Sequence, residues 1–256
     1  MLLTTGPTGS GKTTTLYAFL KKVHNPGVKI ITIEDPIEYH LPGIVQTQVN
    51  DKGYTFLEGL RSALRQDPDI IMVGEIRDGE TASIAINSSL TGHLVFSTLH
   101  TNSSAGSFPR LIDLGINPKI MSSAINIALA QRLIRRLCPA CKKAIPIEGE
   151  IKRKIDEILA TIVDKSEIPT MPASVFGHVG CEKCNSTGYK GRVGIYEGMK
   201  LTEEVNKVIE YNSSDTEIAK SAVPQGILTM TQDGIIKVLQ GITSLDELER
   251  VITIEE

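Results

Sequence analysis

One run near the start of the chain, Gly6-Pro7-Thr8-Gly9-Ser10-Gly11-Lys12-Thr13, restricts the possible folds more than any other feature. It fits the pattern G-x-x-x-x-G-K-[ST], with the apolar Leu2-Leu3 before it and Thr14 to Leu20 in helical rhythm after it. That context predicts a buried strand, a phosphate loop and a helix opening at Gly11 or Lys12. Glycines let the backbone curl until successive N–H groups face inward, and the helix N-terminus adds partial positive charge. Lys12 is then suited to the β- and γ-phosphates, and the Thr13 hydroxyl to Mg²⁺. The competing reading is a Gly/Ser-rich turn that matches by chance. The flanking strand and helix signals favour nucleoside triphosphate binding.

The chain has 256 residues and a formal net charge of -3, so nothing in its overall charge favours nucleic acid or an acidic membrane. No apolar run reaches membrane-spanning length, and the first residues read as strand rather than as an export signal. Because strands feeding such loops normally begin earlier, Met1-Leu2-Leu3 reads as an artificial start of a domain excised from a longer protein.

Strand and helix patterns alternate after the loop, the signature of an α/β fold with a parallel sheet. Val28 to Ile33 reads as a β-branched strand that runs into Glu34-Asp35-Pro36-Ile37-Glu38-Tyr39. Acids at the carboxyl end of a strand beside a phosphate loop lie where open α/β sheets bind ligands. That position shifts Glu34, Asp35 and Glu38 from ordinary surface acids towards metal or water activation. Ile44 to Val49 alternates like a half-exposed strand, and a helix follows from Thr55 to Gln66, with Arg61 and Arg65 off its apolar stripe. Those arginines are either solvated charges or groups that face a neighbouring subunit's triphosphate. Asp69 to Glu75 is a second nucleotide signature, an apolar run buried on both faces and ending in an acid. Arg77, just beyond, is either a salt-bridge partner or a phosphate ligand. A helix from Asp78 or Gly79 to Leu90 leads to the strand His93 to Thr98, which terminates in Leu99-His100. Ser97, Thr98 and His100 are there read as a γ-phosphate sensor.

From Ser103 to Leu137 the periodicity is helical, broken at Gly115 to Pro118, and Arg132, Arg135 and Arg136 are read as cations offsetting a helix C-terminus. Cys138-Pro139-Ala140-Cys141 and Cys181-Glu182-Lys183-Cys184 form two C-x-x-C pairs in a chain with no export signal, which favours metal over disulfides. Four thiolates make a closed tetrahedral Zn²⁺ site with a structural role. Between the pairs a helix is expected over Ile151 to Leu159 and a loop over Ser166 to Ala173. Arg192 to Glu197 is read as a strand. Helices are expected near Glu203–Glu210, Asp215–Ala222 and Leu228–Gln240, with a last one opening at Ser244 in capping-box form.

Taken in order, GPTGSGKTTT, IEDPIEY, LRSALRQDPD, VGEIRD and TGHLVFSTLHTN resemble the secretion ATPase superfamily, specifically the GspE/PilB branch of type II secretion and type IV pilus assembly motors. The similarity runs from Thr4 to about Met199. It implies an α/β, RecA-like P-loop NTPase core over residues 1–137, a tetracysteine zinc-binding subdomain over 138–191, and a return strand with a C-terminal helical region over 192–256.

Carried over by position, Gly6 to Thr14 cradle ATP, with Lys12 on the phosphates and Thr13 on Mg²⁺. Glu34, Asp35 and Glu38 form the acidic box, with Glu38 orienting the attacking water. Glu75 is the acid of the second nucleotide motif, and His93 and His100 are the histidine box. Arg61, Arg65 and Arg77 are candidates for an arginine acting between subunits. The resemblance further implies a hexamer, an inner-membrane platform protein and a cytoplasmic docking protein as partners, and a place at the inner face of the bacterial cytoplasmic membrane. The tetracysteine element argues for assembly rather than retraction. Two other readings stay open: a nucleotide-binding module with negligible turnover alone, and a nucleic-acid translocase, against which the charge and the lack of an aromatic-basic platform both argue. The family's amino-terminal domains have no counterpart in this sequence, and the loop between the cysteine pairs is longer than expected.

Overall fold

The computed structural model describes residues 1–50 and 52–252, which divide into two compact units, one within residues 1–130 and 198–222 and one within residues 131–197 and 223–252. In the first unit β1 (Leu2–Thr5) leads through the phosphate loop into α1 (Lys12–Val23). Then come β2 (Ile30–Glu34), β3 (Val45–Gln48), α2 (Phe56–Leu64), β4 (Ile70–Val73), α3 (Gly79–Leu90), β5 (Leu94–Leu99), α4 (Ser107–Asp113), α5 (Pro118–Ala124) and the first part of β6 (Ile127–Leu137). The second unit takes β7 (Lys143–Pro146), α6 (Gly149–Ala160), β8 (Ser174–Gly177) and most of β9 (Tyr189–Lys200). The chain then adds α7 (Glu203–Tyr211) and α8 (Asp215–Ala222) to the first unit, and α9 (Met230–Leu239) and α10 (Leu245–Val251) to the second.

The main sheet runs in the order β3-β2-β4-β5-β1-β6-β9, and the pairs from β3 through β6 are parallel. Side chains alternate across it, as strand geometry requires. Ile31, Ile33, Ile71, Val73 and Val95 enter one apolar cluster with residues of α2, α3, α5, α7 and α8. Ile30, Ile70, Met72 and Phe96 enter another against Leu16, Tyr17 and Leu20 of α1. Coverage on both faces makes these strands continuous apolar runs, which is why they were legible. Because β1, β2, β4 and β5 are parallel, their carboxyl ends lie along one edge, where Thr5, Glu34, Val73 and Leu99 end the strands.

Residues 127–137 depart from the expected helix: they form β6. Ala, Leu, Gln and Arg favour helix intrinsically, but propensity is a weak prior beside tertiary pairing. Here β1 takes Ile127 to Ala130 as its second parallel neighbour, from Leu2↔Ile127 to Thr5↔Ala130. The arginines therefore sit on a strand. Arg132 donates to the carbonyl of Val251 at 2.7 Å, at the end of α10, so a cation does cap a helix C-terminus, though not the expected one. Elsewhere the elements fall close to expectation: α3 and α8 have the predicted limits, and α10 opens after Ser244, whose hydroxyl accepts from Glu247 N.

In the second unit β7 and β8 pair antiparallel, from Lys143↔Gly177 to Pro146↔Ser174. This small sheet was not foreseen. Helix α6 covers the segment between the cysteine pairs, and Gln232 of α9 donates to Thr161 beyond its end at 2.9 Å.

Candidate nucleotide site and tetracysteine cluster

The phosphate loop is built by backbone conformations that L side chains rarely adopt. Gly9 has φ 79° and Gly11, at the N-cap of α1, has φ 91°, both in the left-handed region glycine occupies without steric cost. Lys12 is buried, and its ammonium donates to the carbonyls of Gly6 at 2.7 Å and Pro7 at 3.2 Å, so its charge is folded back over the loop. Desolvation lowers the Lys12 pKa, and the field of Glu75 opposes it. Thr13 is half-buried and Thr14 exposed on the first turn of α1, while Pro7 and Thr8 are exposed. Ser10 N donates to the Pro7 carbonyl at 3.2 Å, closing the turn.

Beside the loop, the ends of β2, β4 and β5 carry a ladder of charges. His100 Nε2 lies 3.1 Å from one oxygen of Glu75, Arg77 pairs with the other, and Arg77 also reaches Asp35 at 3.2 Å. Hydrogen bonding to Glu75 raises the Arg77 pKa. Its guanidinium also lies over the Phe56 ring, 5.6 Å from the centroid. Glu38 is exposed on the loop that follows β2. Glu34, by contrast, is buried among hydroxyls and an amide: Tyr17 and Thr32 donate to it, and Gln46 Nε2 donates at 3.0 Å. Burial is the largest influence on the Tyr17 phenol, and the bond to Glu34 adds to it, so its pKa is raised.

Several expected site residues are not brought together. His93 precedes β5, and six strand residues, about 20 Å of rise, separate it from His100. It lies at the amino edge, bonded to the Ser88 carbonyl at 3.0 Å and Thr91 at 3.3 Å. Ser97 and Thr98 direct their hydroxyls to the carbonyls of Val73 and Gly74, each at 2.8 Å, which ties β5 to β4. Arg61 and Arg65 have partners on α2 itself, Glu58 and Ser62, both at 3.3 Å. Sequence reasoning missed Tyr17 and Gln46. The signal available was a phenol within an otherwise apolar helix face, since a buried tyrosine hydroxyl needs a partner.

In the second unit the sulfur atoms of Cys138, Cys141, Cys181 and Cys184 all lie within 4.8 Å of one another. Zinc–sulfur bonds of about 2.3 Å place tetrahedral sulfurs about 3.8 Å apart. The separations of 3.9 Å for Cys138–Cys181, 3.8 Å for Cys141–Cys184 and 3.8 Å for Cys181–Cys184 fit that edge. A disulfide needs about 2.05 Å, and all four cysteines are free. The donor set therefore fits Zn²⁺. After the second pair, Asn185 (φ 50°) and Ser186 (φ 59°) turn the backbone so that Gly188 N donates to Cys184 Sγ at 3.2 Å, as does Cys181 N at 3.2 Å. Burial pushes the Cys184 thiol up, but those two N–H groups together with hydrogen bonds from the Cys181 and Cys141 thiols bring it down to about 6.

A parallel sheet whose first strand feeds a G-x-x-x-x-G-K-T loop and helix, with an acid and a histidine on neighbouring strand ends, defines a RecA-like P-loop nucleotide-binding protein. A model of the family described as Type II/IV secretion system protein matches residues 1–250, and the chain belongs to that family. It is 49% identical over 252 residues to the type II secretion system protein E of Pseudomonas aeruginosa, covering 98% of this chain and 48% of that protein. It is 47% identical over 249 residues to the type IV pilus assembly ATPase PilB of Thermus thermophilus, covering 97% of this chain and 27% of that one. Among solved structures, the pilus retraction motor PilT with bound ADP aligns with a TM-score of 0.67 at 27% identity, covering 97% of this chain and 60% of that one. The Legionella pneumophila ATPase DotB aligns with a TM-score of 0.66 at 27% identity, covering 97% and 58%. The chain thus spans about half the length, or less, of the curated relatives it matches.

Proposed function

We propose that this chain binds and hydrolyses ATP as the motor domain of a type II secretion or type IV pilus assembly machine. The observation that carries this reading is the gathering of Lys12, Glu75, His100 and the Glu38 loop at the carboxyl edge of one parallel sheet. Lys12 and the loop N–H groups hold the phosphates, and Thr13 supplies the hydroxyl oxygen that Mg²⁺ prefers. Glu38, exposed on the loop that follows β2, orients water for in-line attack on the γ-phosphate. The ladder Asp35–Arg77–Glu75–His100 holds these polar groups together at the ends of β2, β4 and β5. Cys138, Cys141, Cys181 and Cys184 would hold Zn²⁺ as a structural staple, since four thiolates leave no position open for catalysis.

The domain works in a ring, a hexamer, peripheral at the inner face of the bacterial cytoplasmic membrane, and moves an inner-membrane platform protein while held by a cytoplasmic docking protein. Among the described residues no helix is long and apolar enough to cross a membrane, which accords with peripheral association. Identity of 46–49% to secretion protein E and PilB, against 27% to PilT, favours assembly over retraction. Phosphate release tests the reading: Lys12→Ala should abolish turnover, and Glu38→Gln should abolish it with ATP binding kept. Turnover retained in either variant would overturn the corresponding assignment.

A further inference from the structure

The loop from Asp35 to Leu41 carries Glu38 yet forms neither helix nor strand. What holds it comes from outside. Gln48 Oε1 accepts from Ile37 N at 3.1 Å, and Gln46 Oε1 accepts from Leu41 N at 2.7 Å. The Gln46 amide nitrogen donates to the Tyr39 carbonyl at 3.2 Å, to Glu34 at 3.0 Å and to the Tyr17 hydroxyl at 3.3 Å. Gln46 and Gln48 stand two apart on β3 and so point to one face, while Thr47 between them points away and bonds the Thr32 carbonyl at 2.8 Å. From the other side α1 grips the loop. The Tyr17 ring meets Tyr39 edge to face at 4.7 Å, and Lys21 lies over Tyr39 at 5.1 Å. Tyr17 is five residues beyond Lys12 on the same helix.

We infer that Tyr17, Glu34 and Gln46 form a brace that fastens the Glu38 loop to the phosphate-binding helix, so that these three are positioning residues for water attack. Glu34 is buried with its oxygens committed to Tyr17, Thr32 and Gln46, so it organises the loop instead of meeting nucleotide. A buried carboxylate without a paired cation is costly unless fully hydrogen-bonded, and this one has three donors. Gln46 alone binds β2, α1 and both ends of the loop's second half. A positioning error of about 1 Å costs on the order of a hundredfold in rate, so a brace of this kind acts on turnover more than on binding.

The inference rests on the hydrolytic reading for its catalytic consequence, but its structural core is testable without turnover. Hydrogen exchange in the wild-type chain and in Gln46→Ala should show the Leu41 amide exchanging about fivefold faster or more in the variant, the loss of roughly one hydrogen bond. The amides of Ile31 to Ile33 should be unchanged. Thr47→Val, which removes a β3 bond that touches no loop residue, should leave Leu41 protected. Where wild type turns over ATP, Gln46→Ala should lower kcat at least about tenfold with KM within about twofold. Tyr17→Phe should do so in the same direction should Gln46→Ala fail to fold. Unchanged Leu41 exchange in Gln46→Ala, or equal loss of protection in Thr47→Val, would overturn the brace. An inactive Glu38→Gln beside a fully active Gln46→Ala would overturn its catalytic role alone, while an active Glu38→Gln would remove Glu38 as the water-orienting residue and leave the brace to the exchange data.

Discussion

His100 Nε2 stands 3.1 Å from Glu75 Oε2 although 25 residues separate them in the chain. The pairing follows from β4 and β5 lying side by side in parallel with Val73 opposite Ser97, which carries both segments out at the same edge. Arg77 occupies the other Glu75 oxygen, so the carboxylate is oriented from both sides. Donors fixed before the reaction contribute most where charge develops, so His100→Ala should lower ATP turnover about a hundredfold. Nucleotide affinity, measured by fluorescence of a labelled analogue, should change little. A variant with full turnover would remove His100 from the machinery.

Glu247 in the second unit is fully buried at its side chain and receives Arg135 at 2.6 Å and Arg250 at 2.7 Å, with the Arg135 backbone N–H at 2.9 Å. The Arg135 guanidinium lies 4.1 Å from the Tyr189 ring centroid. Burial raises the Glu247 carboxyl, but Arg250 and Arg135 outweigh it and hold it near 2, below its usual 4.5. A depressed carboxyl contributes stability that is present above its unfolded value and lost as pH falls through the folded one. Both arginines are about half exposed, so solvent screens part of the attraction. Glu247→Gln should destabilise the second unit by about 1–3 kcal/mol at pH 7. Urea unfolding should show the gap to wild type closing between pH 4.5 and 2. A gap constant over that range would contradict the assignment.

Gly234 of α9 lets α10 pack against it: a Cβ there would stand 2.2 Å from Leu248 Cδ1. Leu248 is fully buried, so its side chain can give way only by displacing packed neighbours. Gly234→Ala gains up to about 1 kcal/mol of helix propensity but loses about 1–3 kcal/mol to overpacking, so a net loss is expected. Adding Leu248→Val should recover part of it in a double-mutant cycle. Simple additivity would argue against direct contact.

The tetracysteine cluster predicts about one zinc per chain by elemental analysis, and less than half an equivalent would count against it. Removing metal with a strong chelator, or replacing Cys184 with Ser, should lower the melting temperature of the second unit by at least about 5 °C. Nucleotide binding at Lys12 should persist in the chelated protein if the staple is structural.

Much of the candidate site is readable along the chain because its chemistry is local. Gly6 to Thr13 specifies its own backbone path, and Cys138-x-x-Cys141 specifies its own turn. The doubly covered strands β2, β4 and β5 announce themselves as apolar runs, so the acids and histidine at their ends were found by position. Residues 127–137 were misread because helix-favouring side chains form a strand there to complete the pairing of β1. Glu34 gave no local sign that Tyr17, 17 residues away, and Gln46, 12 away, would enclose it.

By itself, then, the sequence determined the nucleotide loop, the metal-ligand spacing and the α/β alternation, because each depends on residues within a few positions of one another. Tertiary structure alone decided which acids face outward and which are locked away, that His93 and His100 lie at opposite ends of β5, and that β1 takes β6 as its neighbour. Those outcomes depend on strand order and register, which arise from the pairing of distant segments. No single stretch of the chain contains that information.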